Sequence, residues 1–181
     1  VLMQIPRRRI SADAKFLDVA SKEGEFASAI ILEFGDTYKD KIYSIPTSSI
    51  AYEFTRSVYE ALDMPVENIK TKYNSIEYNS YDLIGPRGKD IINELKNMGI
   101  TVAVCNPPYQ DEGGSGGTND APIFQEFSDA AKIISHTFSS LIIPSKWFTG
   151  GRSNLLDPFR KRMLNCGQVS SLTAYNDPSD V

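Results

Sequence analysis

Thr101-Val102-Ala103-Val104-Cys105-Asn106-Pro107-Pro108-Tyr109 is the stretch on which the reading of this chain turns. Its first five residues, small apolar or β-branched, read as a strand. A helix predicted over residues 89–98 precedes it, with Ile91, Ile92 and Leu95 on the inward stripe and Gly99 as its stop. The same alternation repeats in both directions. On the N-terminal side, residues 15–19 read as a short buried strand, 23–34 as a helix with Phe26, Ala29, Ile30 and Phe34 near one face, and 41–45 as a strand ended by Pro46. Ser48 or Ser49 caps a further helix running towards Leu62, and residues 68–84 carry no clear pattern. On the C-terminal side come a helix over 122–134 striped by Ile123, Phe127 and Ala130, a strand at 141–143, a helix at 158–164 and a strand at 169–174. Strands separated by helices of about ten residues predict βαβ units in an α/β fold, a doubly wound and mainly parallel sheet. Ligands of such sheets bind beyond the carboxyl ends of the strands, so a site is expected in the loops after Val19, Ile45, Cys105 and Ile143.

Composition narrows the chemistry. The chain has 181 residues, 41% of them hydrophobic, enough to bury a core without disulfides or a structural metal. Its net charge of −4 excludes a polycation that coats nucleic acid, so any such contact must be local. Cys105 and Cys166 lack a paired spacing and His136 is the single histidine, which argues against a metal site. No apolar run approaches a membrane span, and Arg7, Arg8 and Arg9 near the start do not fit a secretory signal, so a reduced, cytoplasmic location without membrane contact is expected. The start at Val1 and the turn-like end at Asp180 and Val181 read as those of a piece cut from a longer protein.

Asn106-Pro107-Pro108-Tyr109 carries the chemistry. Two successive prolines fix φ near −65° and remove two donors, leaving a stiff segment rich in carbonyl acceptors. The Asn106 amide oxygen and a proline carbonyl held side by side can accept both hydrogens of one exocyclic amine. Tyr109 adds a flat face on which a base drawn out of a helix could stack, worth roughly 1–3 kcal/mol.

In these residues, and in several blocks around them, the chain resembles the adenine-N6 DNA methyltransferases of restriction-modification systems, in particular the branch that also carries a restriction nuclease. Phe16-Leu17-Asp18-Val19-Ala20-Ser21-Lys22-Glu23-Gly24-Glu25-Phe26 is similar to that family's cofactor loop, and Asn106 to Gln110 with Gly113 and Gly114 to its catalytic motif. Pro122-Ile123-Phe124 with Phe127, Ile142 to Phe148 with Gly150 and Gly151, Phe159-Arg160 and Met163-Leu164-Asn165 resemble later blocks. The resemblance implies a Rossmann-like methyltransferase sheet over residues 15–181, truncated before its target-recognition region, after a lead-in at 1–14. It implies S-adenosylmethionine as methyl donor, held by Asp18, Ala20, Gly24, Phe26 and Asn106, with Asn106, Pro107, Pro108 and Tyr109 as catalytic residues. Gly24 would permit close backbone approach, and Asp18 would face the methionine ammonium. The implied partners are double-stranded DNA with a flipped adenine and the remaining domains of the parent chain, target recognition and a nuclease among them.

Departures from the pattern stand out. Val19 replaces a proline and Ser21 a cysteine, while Lys22, Glu23 and Glu25 crowd a loop that is small in the family. After the second strand, Pro46, Thr47 and Ser48 stand where an acid for the cofactor ribose is expected. Asp82 is either a contact for the cofactor adenine or a loop acid. Gly113, Gly114, Gly116 and Gly117 read as a lid beside the base or as a plain linker, and the basic runs at Arg7 to Arg9 and Arg160 to Arg162 as solvated surface. Trp147 and Cys105 read as core, and His136 as a surface or capping residue. The alternatives are methylation of a protein glutamine amide or an RNA base, and a non-catalytic module whose altered cofactor loop no longer binds.

Overall fold

The structure, a computed structural model, describes residues 2–74, 78–110, 121–149 and 155–175. Its sheet has four strands, β1 (Phe16–Ser21), β2 (Ile42–Pro46), β3 (Val102–Cys105) and β4 (Phe138–Leu141), in the order β2-β1-β3-β4. Every pairing is parallel, with Phe16 opposite both Ile42 and Val102, and Val102 opposite Phe138. A lone parallel bridge from Ser44 to Ile69 lies beyond β2.

Both faces of the sheet are covered. The helices α1 (Glu25–Phe34) and α2 (Ser49–Ala61) bury Phe26, Ala27, Ile30, Tyr52 and Tyr59 with Phe16, Ile42, Val102 and Val104 on one face. On the other face, α3 (Gly88–Asn97) and α4 (Phe124–Ile134) bury Ile91, Leu95, Phe127 and Ala131 with Leu17, Val19, Ala103 and Cys105. Strands covered on both sides have no polar face, which is why β1 and β3 are buried at every position. Each large side chain so buried contributes roughly 1.5–3 kcal/mol. Residues 2–14 put Leu2, Ile5 and Ala14 into the core beneath α1 and α2. A third, smaller cluster joins Phe124, Trp147, Leu156 and Phe159, the last from α5 (Asp157–Asn165).

The chain leaves β1 in one direction to form β2 and returns on the other side of β1 to form β3. Strand order therefore reverses between β1 and β3, and sheets of this kind form their ligand crevice beyond the carboxyl ends of the strands at such a point.

Two expected strands differ. The one expected at 141–143 lies at Phe138–Leu141, because the ladder to β3 pairs Val102 with Phe138 and Cys105 with Leu141; Ser139 and Ser140 hid it from an apolar pattern. Ile143 packs instead against the Trp147 cluster. The strand expected at 169–174 is absent: Val169 and Leu172 are exposed and no strand among the described residues pairs with them, and β-prone residues without a neighbouring strand do not make one. No helix among the described residues is long and apolar enough to cross a membrane.

Candidate active site

Three chain segments emerge at the carboxyl end of the sheet. The first leaves β1. Ser21 ends the strand, its hydroxyl 3.0 Å from that of Thr55 on α2 and its carbonyl accepting from the Thr47 N–H at 3.1 Å. Lys22 and Glu23 are exposed, and the Glu23 N–H is taken by the Glu25 carboxylate at 3.1 Å. Gly24 caps α1 at φ 73°, in the left-handed region. A Cβ there would stand 3.1 Å from Val58 Cβ and 3.3 Å from Thr55 Cα, so the close approach that Gly24 permits is to α2.

Asp18, in the middle of β1, is fully buried on the α1 and α2 face beside its register partner Ser44, whose hydroxyl is 3.0 Å from that of Tyr59. Neither carboxylate oxygen of Asp18 has a hydrogen-bond partner. Burial, reinforced by the charge of Glu25, pushes its pKa up to about 8; Ser21, the Ala20 N–H and Lys22 oppose the rise without completing a hydrogen bond. Ala20 and Phe26 are also buried, Phe26 in the core beneath α1. Of the five residues expected to hold a cofactor, only Asn106 presents a partly exposed side chain.

The second segment leaves β3. Cys105 is buried, which raises its thiol pKa, and Asp18 and Lys22 are close enough to act on it electrostatically. Asn106 is half-buried, Pro107 buried and Tyr109 44% exposed, so the ring offers a face to solvent at the crevice. The Tyr109 hydroxyl donates to Asn106 Oδ1 at 3.4 Å, a long contact. Burial raises the phenol pKa. An antiparallel bridge from Gln110 to Pro122 and the Ile123 N–H on the Tyr109 carbonyl, 3.3 Å, tie the segment to the start of α4. Gly113, Gly114, Gly116 and Gly117 lie outside the described residues, as do Gly150 and Gly151.

The third segment leaves β2. Pro46 pairs with Ser21, and the Ser48 hydroxyl caps α2 by accepting from the Ala51 N–H at 3.1 Å, so no acid stands at this strand end. Beyond it lies an open hollow of about 360 Å³ lined by Ser49, Ile50, Tyr52, Glu53 and Tyr73. Tyr52 and Tyr73 stack at 6.1 Å, and Glu53 is the carboxylate of the group. Aromatic faces beside a carboxylate could hold a nucleoside through its base and ribose hydroxyls. Sequence reasoning missed this hollow, because Tyr73 lies in the stretch without a pattern and meets α2 only in three dimensions.

Asp82 is committed elsewhere: its carboxylate accepts from the Asn79 N–H at 2.7 Å in a capping box. Trp147 is buried against Phe159, and a His136 ring nitrogen sits 3.1 Å from the Lys96 carbonyl. Among the described residues no group of three His, Cys, Asp or Glu could hold a metal.

The family described as Eco57I restriction-modification methylase matches residues 20–181. A protein of Mycoplasma pneumoniae (strain ATCC 29342 / M129 / Subtype 1), described as an uncharacterized adenine-specific methylase, is 35% identical over 122 residues, covering 62% of this chain and 29% of that protein. The chain thus spans under a third of that relative's length. No solved structure matches it.

Proposed function

Because the chain belongs to the Eco57I restriction-modification methylase family, we propose that it transfers a methyl group from S-adenosylmethionine to the exocyclic N6 amine of adenine in double-stranded DNA, as the catalytic part of a longer protein. One observation carries the reading: the stiff Asn106-Pro107-Pro108-Tyr109 segment leaves the carboxyl end of β3, the strand next to β1, where strand order reverses. S-adenosylmethionine, when bound, supplies a methyl group already activated on a sulfonium. Of the residues expected to hold it, Asn106 is open to such a group, whereas Asp18, whose two oxygens are without partners, is buried and keeps its proton, and would meet the ammonium only after losing that proton and becoming accessible.

The chain's own residues would then do three things. Asn106 Oδ1 and the Pro107 carbonyl accept the two hydrogens of the amine, draw its lone pair out of conjugation and offset the charge that grows on nitrogen. The two prolines hold these acceptors still, so that orientation lowers the barrier. Tyr109 gives the extruded base a stacking face, and its long contact to Asn106 yields readily to an incoming amine. Labelled methyl transfer to adenine-containing duplex by the full chain is the test. Asn106→Ala is expected to lower incorporation by about 100-fold or more; equal labelling by wild type and variant would remove Asn106 from the mechanism.

A second reading, a non-catalytic module, is favoured by the tight seating of Gly24 on α2 and by Pro46 in place of an acid. Calorimetry that finds no heat with S-adenosylmethionine at high protein concentration would support it over catalysis.

A further inference from the structure

Two basic runs, Arg7-Arg8-Arg9 and Arg160-Lys161-Arg162, look alike in sequence, and the fold separates them. Arg7 pairs with Glu33 at 2.8 Å, and Arg9 lies over the ring of Phe138, the first residue of β4, at the amino end of the sheet and away from the crevice. The second run lies on α5. Phe159 fastens that helix to Phe124 and Trp147, each with ring centres 5.8 Å away. Phe124 opens α4 just past the Gln110–Pro122 bridge, and Trp147 belongs to the turn Ser145–Thr149 that follows β4. The basic helix is thereby anchored to the same end of the sheet as Asn106.

Within this second run Arg162 is engaged by Asp129 at 2.5 Å, which sets the helix against α4. Arg160 and Lys161 are exposed and form no ion pair among the described residues; Lys146, on the turn beneath α5, is exposed as well. Across this turn and residues 155–165 there are four basic residues and one acid, Asp157, whereas the whole chain carries −4. The sign of the charge reverses locally, at the edge next to the crevice.

We propose that this unit holds the phosphate backbone of duplex DNA beside the target base through Lys146, Arg160 and Lys161; the inference rests on the reading of the protein as a DNA methyltransferase. Phosphate contacts carry no sequence information but set register and orientation, and an otherwise acidic chain repels the backbone elsewhere.

The test is duplex binding by the full chain across a salt series, with the double variant Arg160→Gln, Lys161→Gln and, as control, Arg8→Gln at the opposite end of the sheet. Losing two phosphate contacts should lower the slope of log K against log salt by about 1.8, so that the gap to wild type narrows about tenfold between about 50 and 200 mM salt. Arg8→Gln should follow wild type, and heats of S-adenosylmethionine binding should be the same in all three. An unchanged slope and affinity in the double variant, with methyl transfer intact in wild type, overturns this inference alone. Absence of both DNA binding and methyl transfer in wild type overturns the methyltransferase reading, and this inference with it.

Discussion

Asp18→Asn probes the first strand end directly. The side chain is fully buried with both oxygens unpartnered, and its pKa rises from 3.8 to about 8 on folding. The folded protein therefore keeps a proton that the unfolded chain releases above about pH 4. The resulting stability is complete below that pH and is lost as the pH climbs towards 8. Each pH unit well inside the window costs about 1.4 kcal/mol, so the step from about pH 5 to about pH 7 removes about 3 kcal/mol. Asparagine keeps the volume and carries no titrating proton. Urea unfolding of both proteins at several pH values should show the wild type losing this increment while the variant does not, whatever constant offset separates them. Profiles that run parallel within about 0.5 kcal/mol would show that Asp18 is not held protonated, and that a donor reaches its carboxylate in solution.

Gly24→Ala must place a Cβ 3.1 Å from that of Val58 and hold alanine at φ 73°, and it is expected to cost about 1–3 kcal/mol. Thermal unfolding should fall by about 2–4 °C for each kcal/mol, and an unchanged midpoint would contradict the close seating of the turn on α2. Tyr109→Ala should raise KM for duplex about 5- to 150-fold through lost stacking, while Tyr109→Phe keeps KM near wild type. If both variants behave alike, the ring is not the stacking face.

Much of this architecture was legible because its signals are local. The helix over 89–98 appears as Gly88–Asn97, since the apolar stripe and Gly99 need no distant partner. Ser48, one of two expected caps, accepts from the Ala51 N–H as a local hydroxyl can. The strand at 169–174 shows the opposite case: its residues suit a sheet, but a strand exists only where another pairs with it. Asp82 fits two roles in the sequence, and the Asn79 N–H that donates to its carboxylate commits it to one of them. The cofactor expectations meet the same limit, because a resemblance points to Asp18 and Phe26 without saying how deeply α1 and α2 bury them.

From the order of residues alone came the alternation of strands and helices and the stiff Asn106-Pro107-Pro108-Tyr109 segment at a strand end, because side-chain periodicity and the fixed φ of proline act over a few neighbours. Tertiary structure decided which strands lie side by side, and hence that the turn after Ser21 and the segment after Cys105 leave neighbouring strands at the same end of the sheet. It also decided that Asp18 is shut away from water and that one basic run lies towards the carboxyl end of the sheet and the other at its amino end. Those outcomes depend on which distant segments meet, and hydrophobic burial, which drives them together, is non-directional and leaves no mark at any single position.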